Sequence, residues 1–398
     1  MQSQLLTVEE ALERILSHAR PLPTETVGLL EANGRVLREP ALARVDLPPF
    51  PSSAMDGFAV RAADTPGELP VAFRIPAGTA PPGALPPASA AGIATGATVP
   101  DGADAVVPVE VVEDRGDSLV VATAVEAGQH VRPRGGDVRA GATVVDAGIR
   151  LAAQQIGGLA AAGVAELVCS VRPRVAVLAT GSELRAPGME LAPGQIYESN
   201  RVMIAAALAS SGATVEVMPV VEDDLASHRA ALERGLEADV LVTSGGVSMG
   251  PHDLVRGVEA DLGVEEVFWG VAVKPGKPLT FGVRGDTLVF GLPGNPVSSL
   301  VGALVFVRPA LLARQGAASP TPGYLPGRLA TALRQNPQRD EFVRARRVAT
   351  ADGELLEAIG GQESHMIVRA ASADALVHVP RGESTLEPGA AVRFISLD

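Results

Sequence analysis

Apolar residues recur at helical spacing near the start of the chain. Between Thr7 and Ala19 they fall on one face of a helix, and Thr7 and Glu10 have the spacing of a capping box. Pro21 predicts the end of this helix, since proline lacks the N–H group that a helix interior needs. A second, shorter helix is expected to close at Asn33-Gly34.

Short valine-rich runs replace the helical pattern over much of residues 46–148. Runs at 105–112 and 118–123 are separated by Gly, Pro and Asp, which predicts small-sheet structure with long loops. Residues 76–102 are rich in Pro, Ala and Gly, so we expect a surface loop or linker there. Residues 154–163 have the pattern of another short helix.

Apolar strands alternate with longer helical patterns from Arg174 onward. This alternation predicts βαβ units, and hence a mainly parallel, doubly wound α/β sheet with helices on both faces. Residues 317–322 are a predicted linker, and residues 323–398 return to short strand-like runs, which predicts a small separate β domain. The predicted strands are 175–179, 214–221, 240–243 and 288–290, and the predicted helices are 201–210, 225–235 and 297–307.

Composition and charge narrow the classes of function. Hydrophobic residues make up 46% and charged residues 20% of the chain, which is typical of a globular protein. The formal net charge is −13 and aromatic residues are only 3%, so the chain repels phosphate backbones and lacks the aromatics of a base-stacking surface. We therefore expect no nucleic-acid partner, whereas the composition is compatible with a binding site for a small anionic molecule.

The cysteine count and the apolar segments predict where the protein works. Cys169 is the only cysteine, which excludes an intrachain disulfide, a thiolate zinc site and an iron–sulfur cluster and favours a reducing compartment. The N-terminus lacks the basic and apolar regions of a secretory signal. We expect no segment to reach the roughly 18–20 apolar residues that span a bilayer, and predict a soluble cytoplasmic protein without membrane contact.

Loops of small residues follow three of the predicted parallel strands. In a doubly wound sheet, ligands bind outside the carboxyl ends of the strands, and such loops expose backbone N–H groups to an anion. Each loop alone could be only a turn, but three at one sheet edge favour a binding site. None fits the dinucleotide or P-loop phosphate pattern. The loops comprise Thr180-Gly181-Ser182-Glu183, Ser244-Gly245-Gly246-Val247-Ser248-Met249-Gly250 and Gly291-Leu292-Pro293-Gly294-Asn295-Pro296-Val297-Ser298.

Charged residues near these loops suit a phosphate-bearing substrate. Lys274 and Lys277 flank a Pro-Gly pair whose restricted backbone would hold both ammonium groups for phosphate or an oxyanion; the alternative is a solvated surface turn. Asp223 and Asp253 follow strands and offer oxygen ligands suited to Mg²⁺. For Asp223 and its neighbour Asp224 the alternative is capping of the next helix, and the two functions could divide between them.

The run of motifs resembles the molybdopterin molybdenumtransferase family, which includes the MoeA proteins and the gephyrin E domain. The matches stand in order over nearly the whole chain, so chance agreement is very improbable. The matching segments are Ser53–Val60, Thr95–Ala97 with Gly102–Asp104, Arg134–Asp137, Thr180–Leu184, Ser244–Ser248, Lys274–Pro278, Gly291–Pro296, Arg339–Arg344 and Gln362–His365.

The resemblance implies an elongated four-domain subunit that forms a homodimer. Its domains would be an N-terminal linker or dimerisation domain of residues 1–45 and 138–170, an inserted β-rich domain of 46–137, a molybdopterin-binding, adenylyltransferase-like α/β domain of 171–314 and a C-terminal β-barrel-like domain of 315–398. The resemblance also implies a reaction in molybdenum cofactor biosynthesis: adenylylated molybdopterin and molybdate give molybdenum cofactor and AMP, with Mg²⁺ required. A molybdopterin adenylyltransferase is a further expected partner.

Matched position by position, the resemblance implies a site that two subunits share. Arg344 and Ser364 would bind molybdate from the C-terminal domain, and Asp56, Thr95 and Asp137 would reach the partner's cleft. The implied catalytic residues are Asp56, Thr95, Asp137, Glu183, Lys274 and Lys277; the implied metal ligands are Asp223, Asp253 and Glu183; and the residues implied to bind the substrates are Thr180, Gly181, Ser244, Gly245, Gly246, Ser248, Pro293, Gly294, Asn295, Pro296, Arg344 and Ser364.

Two positions depart from the family pattern, and two other functions stay open. Gly270 stands where the family often has a basic residue, and Glu363 adds a carboxylate that should weaken molybdate binding unless it points away. The alternatives are a nucleotide enzyme resembling the molybdopterin adenylyltransferases and a non-catalytic scaffold resembling gephyrin. Matched motifs in residues 53–137, outside the α/β domain, argue against the first. The presence of every acidic and basic site residue argues against the second.

Overall fold

The computed structural model describes residues 5–221, 224–246, 254–351 and 353–397. The helices are α1 (Val8–His18), α2 (Leu29–Ala32), α3 (Ala153–Ala161), α4 (Asn200–Ala209), α5 (Leu225–Gly235), α6 (Leu254–Asp261), α7 (Pro296–Gly302), α8 (Arg308–Arg314) and α9 (Ile367–Ala370). The strands are β1 (Thr24–Gly28), β2 (Ala41–Leu42), β3 (Ser52–Ser53), β4 (Gly57–Val60), β5 (Gly67–Ile75), β6 (Ala90–Ile93), β7 (Ala105–Pro108), β8 (Val112–Asp114), β9 (Ser118–Val121), β10 (Val131–Arg132), β11 (Thr143–Val145), β12 (Glu166–Ser170), β13 (Arg174–Ala179), β14 (Leu184–Arg185), β15 (Ile196–Tyr197), β16 (Thr214–Val217), β17 (Val240–Ser244), β18 (Glu265–Trp269), β19 (Val273–Lys274), β20 (Thr280–Arg284), β21 (Thr287–Leu292), β22 (Tyr324–Arg328), β23 (Leu333–Arg334), β24 (Asp340–Thr350), β25 (Gly353–Ala358), β26 (Ala375–Val379), β27 (Thr385–Leu386) and β28 (Ala391–Ser396).

The α/β sheet confirms the predicted fold class. Its strand order is β16-β13-β17-β21-β20-β18; the first four strands are parallel, and β20 and β18 add an antiparallel edge that the sequence analysis missed. Val175 and Val177 lie in one apolar cluster with α4, whereas the alternate residues Ala176 and Leu178 lie in another with α5. Helices therefore cover both faces, as the alternation predicted.

One long apolar helix corrects two expectations. The helix predicted at 297–307 runs on through α7, a π-helical turn at Ala303–Val307 and α8, and so passes Pro309. The helix Pro296–Arg314 has 19 residues, and the most apolar stretch of 18 residues within it has a mean hydropathy of 1.7. This stretch has the length and apolarity of a membrane span, contrary to the expectation that no segment would. Because 72% of it is buried inside the protein, its apolar composition is that of a core helix.

The β-rich unit that follows the first helices contains a second six-stranded sheet, ordered β7-β4-β6-β5-β9-β8. Strand β6 lies inside residues 76–102, where a loop or linker was expected, and that expectation is wrong for this part. Ala90 and Ala91 are 0% exposed, and Leu85 is 1% exposed. Small side chains weaken the alternation of apolar and polar residues that marks a strand, which is why the composition pointed to a loop.

The last sheet takes one strand from outside residues 323–397. Its order is β19-β24-β26-β28-β22, with β25 pairing β24, and β19 is the segment that ends at Lys274. Elsewhere, β1 pairs with β12 and β2 with β11, so the beginning of the chain folds together with residues 143–170. These pairings join stretches that are distant in sequence.

A buried histidine lies at the centre of the last sheet. The ring of His378 stacks on Phe342 and Tyr324, with ring centroids 5.0 and 5.6 Å away. Its Nε2 lies 3.1 Å from Asp340 Oδ2, and its Nδ1 lies 3.1 Å from a guanidinium nitrogen of Arg393. Because a guanidinium only donates, Nδ1 accepts, and Nε2 carries the proton that is donated to Asp340.

Tyr324, which stacks on this histidine, is expected to lose its proton only at unusually high pH. Burial raises the pKa of Tyr324 to about 12, although Arg393 opposes the shift. The tyrosine ionises more readily in the unfolded chain, so its contribution to stability is complete below the ordinary pKa near 10 and is lost between about pH 10 and 12. The chain has two tyrosines. In Tyr197→Phe, tyrosinate absorbance should therefore rise in one step near pH 12; a step near pH 10, as expected for denatured protein, would contradict the burial argument.

Candidate active site

The three loops of small residues meet at one edge of the α/β sheet. Thr180 donates its backbone N–H to Ser244 O over 3.4 Å, and Gly245 donates to Leu292 O over 3.0 Å. A Cβ placed on Gly294 would lie 3.9 Å from the Cα of Gly245, so the second and third loops are in contact. The carboxyl ends of β13, β17 and β21 therefore present adjoining backbone segments, the arrangement expected of a binding site.

Asn200, which the sequence analysis missed, ties two of these loops together. Its Nδ2 donates to Ser244 Oγ over 2.9 Å and to the Gly294 carbonyl over 2.7 Å. The Ser244 hydroxyl also lies 3.4 Å from that of Ser299, which donates to the Pro293 carbonyl. In the sequence Asn200 is only a polar residue at a helix start, and its two hydrogen bonds in the structure show that it faces both loops.

The two lysines lie beside the third loop. Lys274 ends β19, and its Nζ lies 2.9 Å from Glu341 Oε1; the Lys277 side chain is exposed. A Cβ on Gly276, between them, would lie 3.7 Å from Ser298 O, which places the segment next to the start of α7. These are the only lysines in the chain, although Lys and Arg together number 33. All other residues in this total are therefore arginines.

The loop that carries Ser364 reaches the same edge. Val297 donates its N–H to Ser364 O over 3.0 Å, so the C-terminal unit contacts the first turn of α7. Ser364 itself is half-buried. The structure therefore brings Thr180, Ser244, Pro293 and Ser364 into one region, together with the two lysines.

The side chain of Arg344 does not lie where a residue that contacts molybdate was expected. The side chain is 0% exposed, and its guanidinium is engaged by the protein itself. It holds the loop of residues 361–366 in place, and so it reaches the site only through the loop that carries Ser364. Its N–H groups donate to Met366 O (2.7 Å), Gly361 O (2.8 Å), Glu363 O (3.2 Å) and Gln362 Oε1 (3.4 Å).

Asp56 and Thr95 form a separate pair in the β-rich unit. The Thr95 N–H donates to Asp56 Oδ1 over 2.7 Å, and both residues are exposed. A cavity of about 500 Å³ lies beside Asp56 and is lined mainly by apolar atoms, with Phe58 and Arg74 in its wall. Asp137 is also exposed. Within the described ranges, no hydrogen bond or ion pair joins these three residues to the loops of the α/β sheet.

The candidate metal ligands are only partly described. Asp223, Asp253 and Ser248 lie outside the described residues. Asp224 caps α5: the Ser227 N–H donates to its Oδ1 over 2.9 Å, and hydrogen bonds to Ser227 hold the pKa of Asp224 below its usual value. Capping by one member of this pair is thus confirmed. Among the described residues, His, Cys, Asp and Glu form no group of three or more that could hold a metal ion.

Glu183 lies exposed in the loop that follows β13, and its carboxylate is folded over Gly181. The φ angle of Gly181 is 149°, and a Cβ there would lie 2.5 Å from Glu183 Oε2. Only glycine leaves room for the carboxylate in this position. An exposed carboxylate at a strand end fits Mg²⁺, which keeps several waters and uses one or two protein carboxylates together with substrate phosphate.

The two departures from the family pattern have structural consequences. A Cβ on Gly270 would lie 2.7 Å from Leu5 Cδ2, so a basic side chain there would have to displace Leu5. The Glu363 side chain is exposed, while its carbonyl accepts from Arg344.

Comparison with known proteins gives matches along almost the whole chain. Three family models match: the MoeA N-terminal region (domains I and II) at residues 6–163, a probable molybdopterin-binding domain at 176–313 and the MoeA C-terminal region (domain IV) at 326–397. The molybdopterin molybdenumtransferase 2 of Mycobacterium tuberculosis is 41% identical, with 94% of each chain covered. The molybdopterin molybdenumtransferase of Nostoc sp. is 34% identical over 94% of this chain and 89% of its own. A crystal structure of a MoeA protein from Pyrococcus horikoshii is 32% identical, with a TM-score of 0.78, and covers 99% of this chain and 100% of its own.

Proposed function

Since the chain belongs to the molybdopterin molybdenumtransferase family and is thus a transferase of molybdenum cofactor biosynthesis, we propose that it inserts molybdate into adenylylated molybdopterin and releases AMP. The observation that carries this proposal is the meeting of three loops, both lysines and the Ser364 loop at one sheet edge. Backbone N–H groups and ammonium groups together suit a substrate that is an anhydride of two phosphates.

The residues of this chain have distinct tasks in the proposed reaction. Lys274 and Lys277 stabilise the negative charge that grows on the phosphates as the anhydride bond breaks and AMP leaves. The loops at Thr180, Ser244 and Pro293 bind and orient the substrate, and Ser364 binds molybdate. Preorganised donors of this kind need no rearrangement as the charge develops.

Mg²⁺ is part of the proposal, with Glu183, Asp223 and Asp253 as its ligands. The exposed Glu183 carboxylate fits such a site. A cation bound there would offset the negative charge of the substrate's phosphates.

Gly181→Ala tests the Glu183 part of this site. The new methyl group must displace a carboxylate that would lie 2.5 Å away. We expect the Mg²⁺ concentration for half-maximal AMP release to rise about tenfold, as is usual when a metal ligand loses its support. Gly188→Ala is the matched control, because Gly188 also has a positive φ (90°) but nothing lies within 4 Å of its Cβ position. An equal Mg²⁺ requirement in both variants would contradict the assignment.

We also propose a homodimer in which Asp56, Thr95 and Asp137 complete the partner's site. Supporting this is the observation that, among the described residues, no hydrogen bond or ion pair joins these three residues to the loops of their own chain. A mixed dimer of Asp56→Ala and Glu183→Ala chains then has one site with both changes and one with neither. It should recover about half of the wild-type activity, whereas each homodimer is inactive. Absence of recovery in isolated mixed dimers would refute the shared site.

The decisive experiment is AMP release from the purified protein. With adenylylated molybdopterin and Mg²⁺, release should depend on added molybdate. ATP consumption with unmodified molybdopterin would instead favour the adenylyltransferase-like alternative, and no release at any molybdate concentration from folded protein would favour the scaffold.

We further propose a cytoplasmic location, consistent with a single buried thiol at Cys169, and a molybdopterin adenylyltransferase as the supplier of substrate.

A further inference from the structure

We propose that Glu341 is a positioning residue that holds Lys274 in place for catalysis. This inference rests on the proposed function, because it assigns Lys274 to the phosphates of the substrate. Glu341 lies in β24 of the C-terminal sheet, and Lys274 ends β19, which pairs with β24 but lies in the chain between β18 and β20 of the α/β sheet. The contact therefore links the segment between two strands of the α/β sheet to the C-terminal unit.

The ion pair is asymmetric, with a fixed carboxylate and a more accessible ammonium group. Glu341 Oε1 lies 2.9 Å from Lys274 Nζ and also accepts from Asn336 Nδ2 over 3.1 Å. The Glu341 side chain is 17% exposed, against 51% for Lys274. The second hydrogen bond fixes the acceptor, so it is the lysine whose position is set. An ammonium group has three donors, and those not used on Glu341 can point to the substrate.

The backbone fixes the same two residues relative to one another. Strand β19 pairs in parallel with β24, and Lys274 is the direct partner of Glu341 in that ladder. The next residue pair is tied as well, since Asp340 donates its N–H to Ala272 O over 2.9 Å. The Asp340 carboxylate in turn accepts from His378 and from the Arg381 N–H. The backbone of β24 beside Glu341 is therefore held by strand pairing and by the hydrogen bonds of Asp340.

We expect lysine to be required at position 274, because an arginine would pair with Glu341 in a different geometry. A guanidinium is larger and planar and tends to bind a carboxylate with two parallel bonds, which would leave fewer donors for the substrate. Both lysines of the chain lie in this segment, and the other 31 members of the Lys and Arg total (33 minus 2) are arginines. We therefore expect Lys274→Arg to lose activity although it keeps the charge.

The test compares Glu341→Ala with Glu341→Gln in molybdate-dependent AMP release. The alanine variant should lower kcat about tenfold or more with little change in KM, because a misplaced catalytic group slows chemistry more than binding. The glutamine variant keeps the acceptor oxygen and should stay within about threefold of wild type. Glu354→Ala, which removes a different carboxylate of the same sheet, is the control and should leave kcat unchanged.

A double-mutant cycle separates positioning from general stabilisation. If Glu341 acts through Lys274, then Lys274→Ala with Glu341→Ala should be no slower than Lys274→Ala alone. Additive losses would overturn the proposal.

The two lysines also allow a test that does not use activity. In protein labelled with ¹³C at the lysine ε carbon, NMR should show one signal for each lysine, assigned through Lys274→Arg. Glu341→Ala should move the Lys274 signal and leave that of Lys277 in place; an unmoved Lys274 signal would overturn the proposal. If wild-type protein releases no AMP, the proposed function fails, and this signal alone decides whether Glu341 holds Lys274.

Discussion

Replacing Arg344 with alanine is expected to lower the free energy of unfolding of the C-terminal unit by about 3 kcal/mol or more. The side chain is 0% exposed, and it donates to three backbone carbonyls of residues 361–366. Its loss removes the donor from three partly buried acceptors, at about 1 kcal/mol each, and opens a cavity as well. Chemical denaturation followed by circular dichroism measures the change.

Two further variants of Arg344 separate packing from hydrogen bonding. Arg344→Met fills much of the same volume but donates nothing, so it should remain about 2 kcal/mol less stable than wild type. Arg344→Lys keeps the charge and loses the fork geometry, and should fall between wild type and alanine. A methionine variant as stable as wild type would show that the carbonyl contacts contribute nothing. Because the same bonds place Ser364, we expect molybdate KM to rise in the methionine variant even at temperatures where it is folded.

Replacing Gly57 with alanine is expected to destabilise the β-rich unit by about 3 kcal/mol. A Cβ there would lie 2.0 Å from Val107 O and 2.9 Å from Val107 C, inside the ladder that pairs β4 with β7. Neither is the end of a flexible side chain, so the strands must separate, and overpacking of a buried site typically costs about 1–3 kcal/mol or more. The cost should show as a lower denaturation midpoint.

The same substitution is expected to impair the candidate site. Asp56 precedes Gly57 directly, and its hydrogen bond from the Thr95 N–H depends on the position of this strand. Gly83→Ala is the matched control: Gly83 lies in the same unit, and nothing is found within 4 Å of its Cβ position. The control should match wild type in stability and in AMP release. Equal behaviour of the two alanine variants would contradict the steric argument.

Much of the fold follows from local patterns in the sequence. The strands at Arg174–Ala179, Val240–Ser244 and Thr287–Leu292 are short apolar runs between helical patterns, and this alternation leaves little choice but a parallel sheet. Strand Ala90–Ile93 was missed because alanine and glycine carry little of the strand signal and take their place only through pairing with distant strands. Helix 296–314 was cut short because Pro309 reads as a boundary, whereas a π-helical turn precedes it in the structure.

By itself, the sequence determined which residue types are available for chemistry: a pair of lysines around Pro-Gly, small-residue loops after three strands, and carboxylates beside them. These are properties of short segments, where spacing along the chain and spacing in space agree. Only the tertiary structure decided that Asn200 joins two of the loops, that Arg344 is buried under backbone carbonyls and that Glu341 holds Lys274. Each of these contacts joins residues far apart in the chain, and no local pattern encodes such a contact, because it arises from the order in which strands pair.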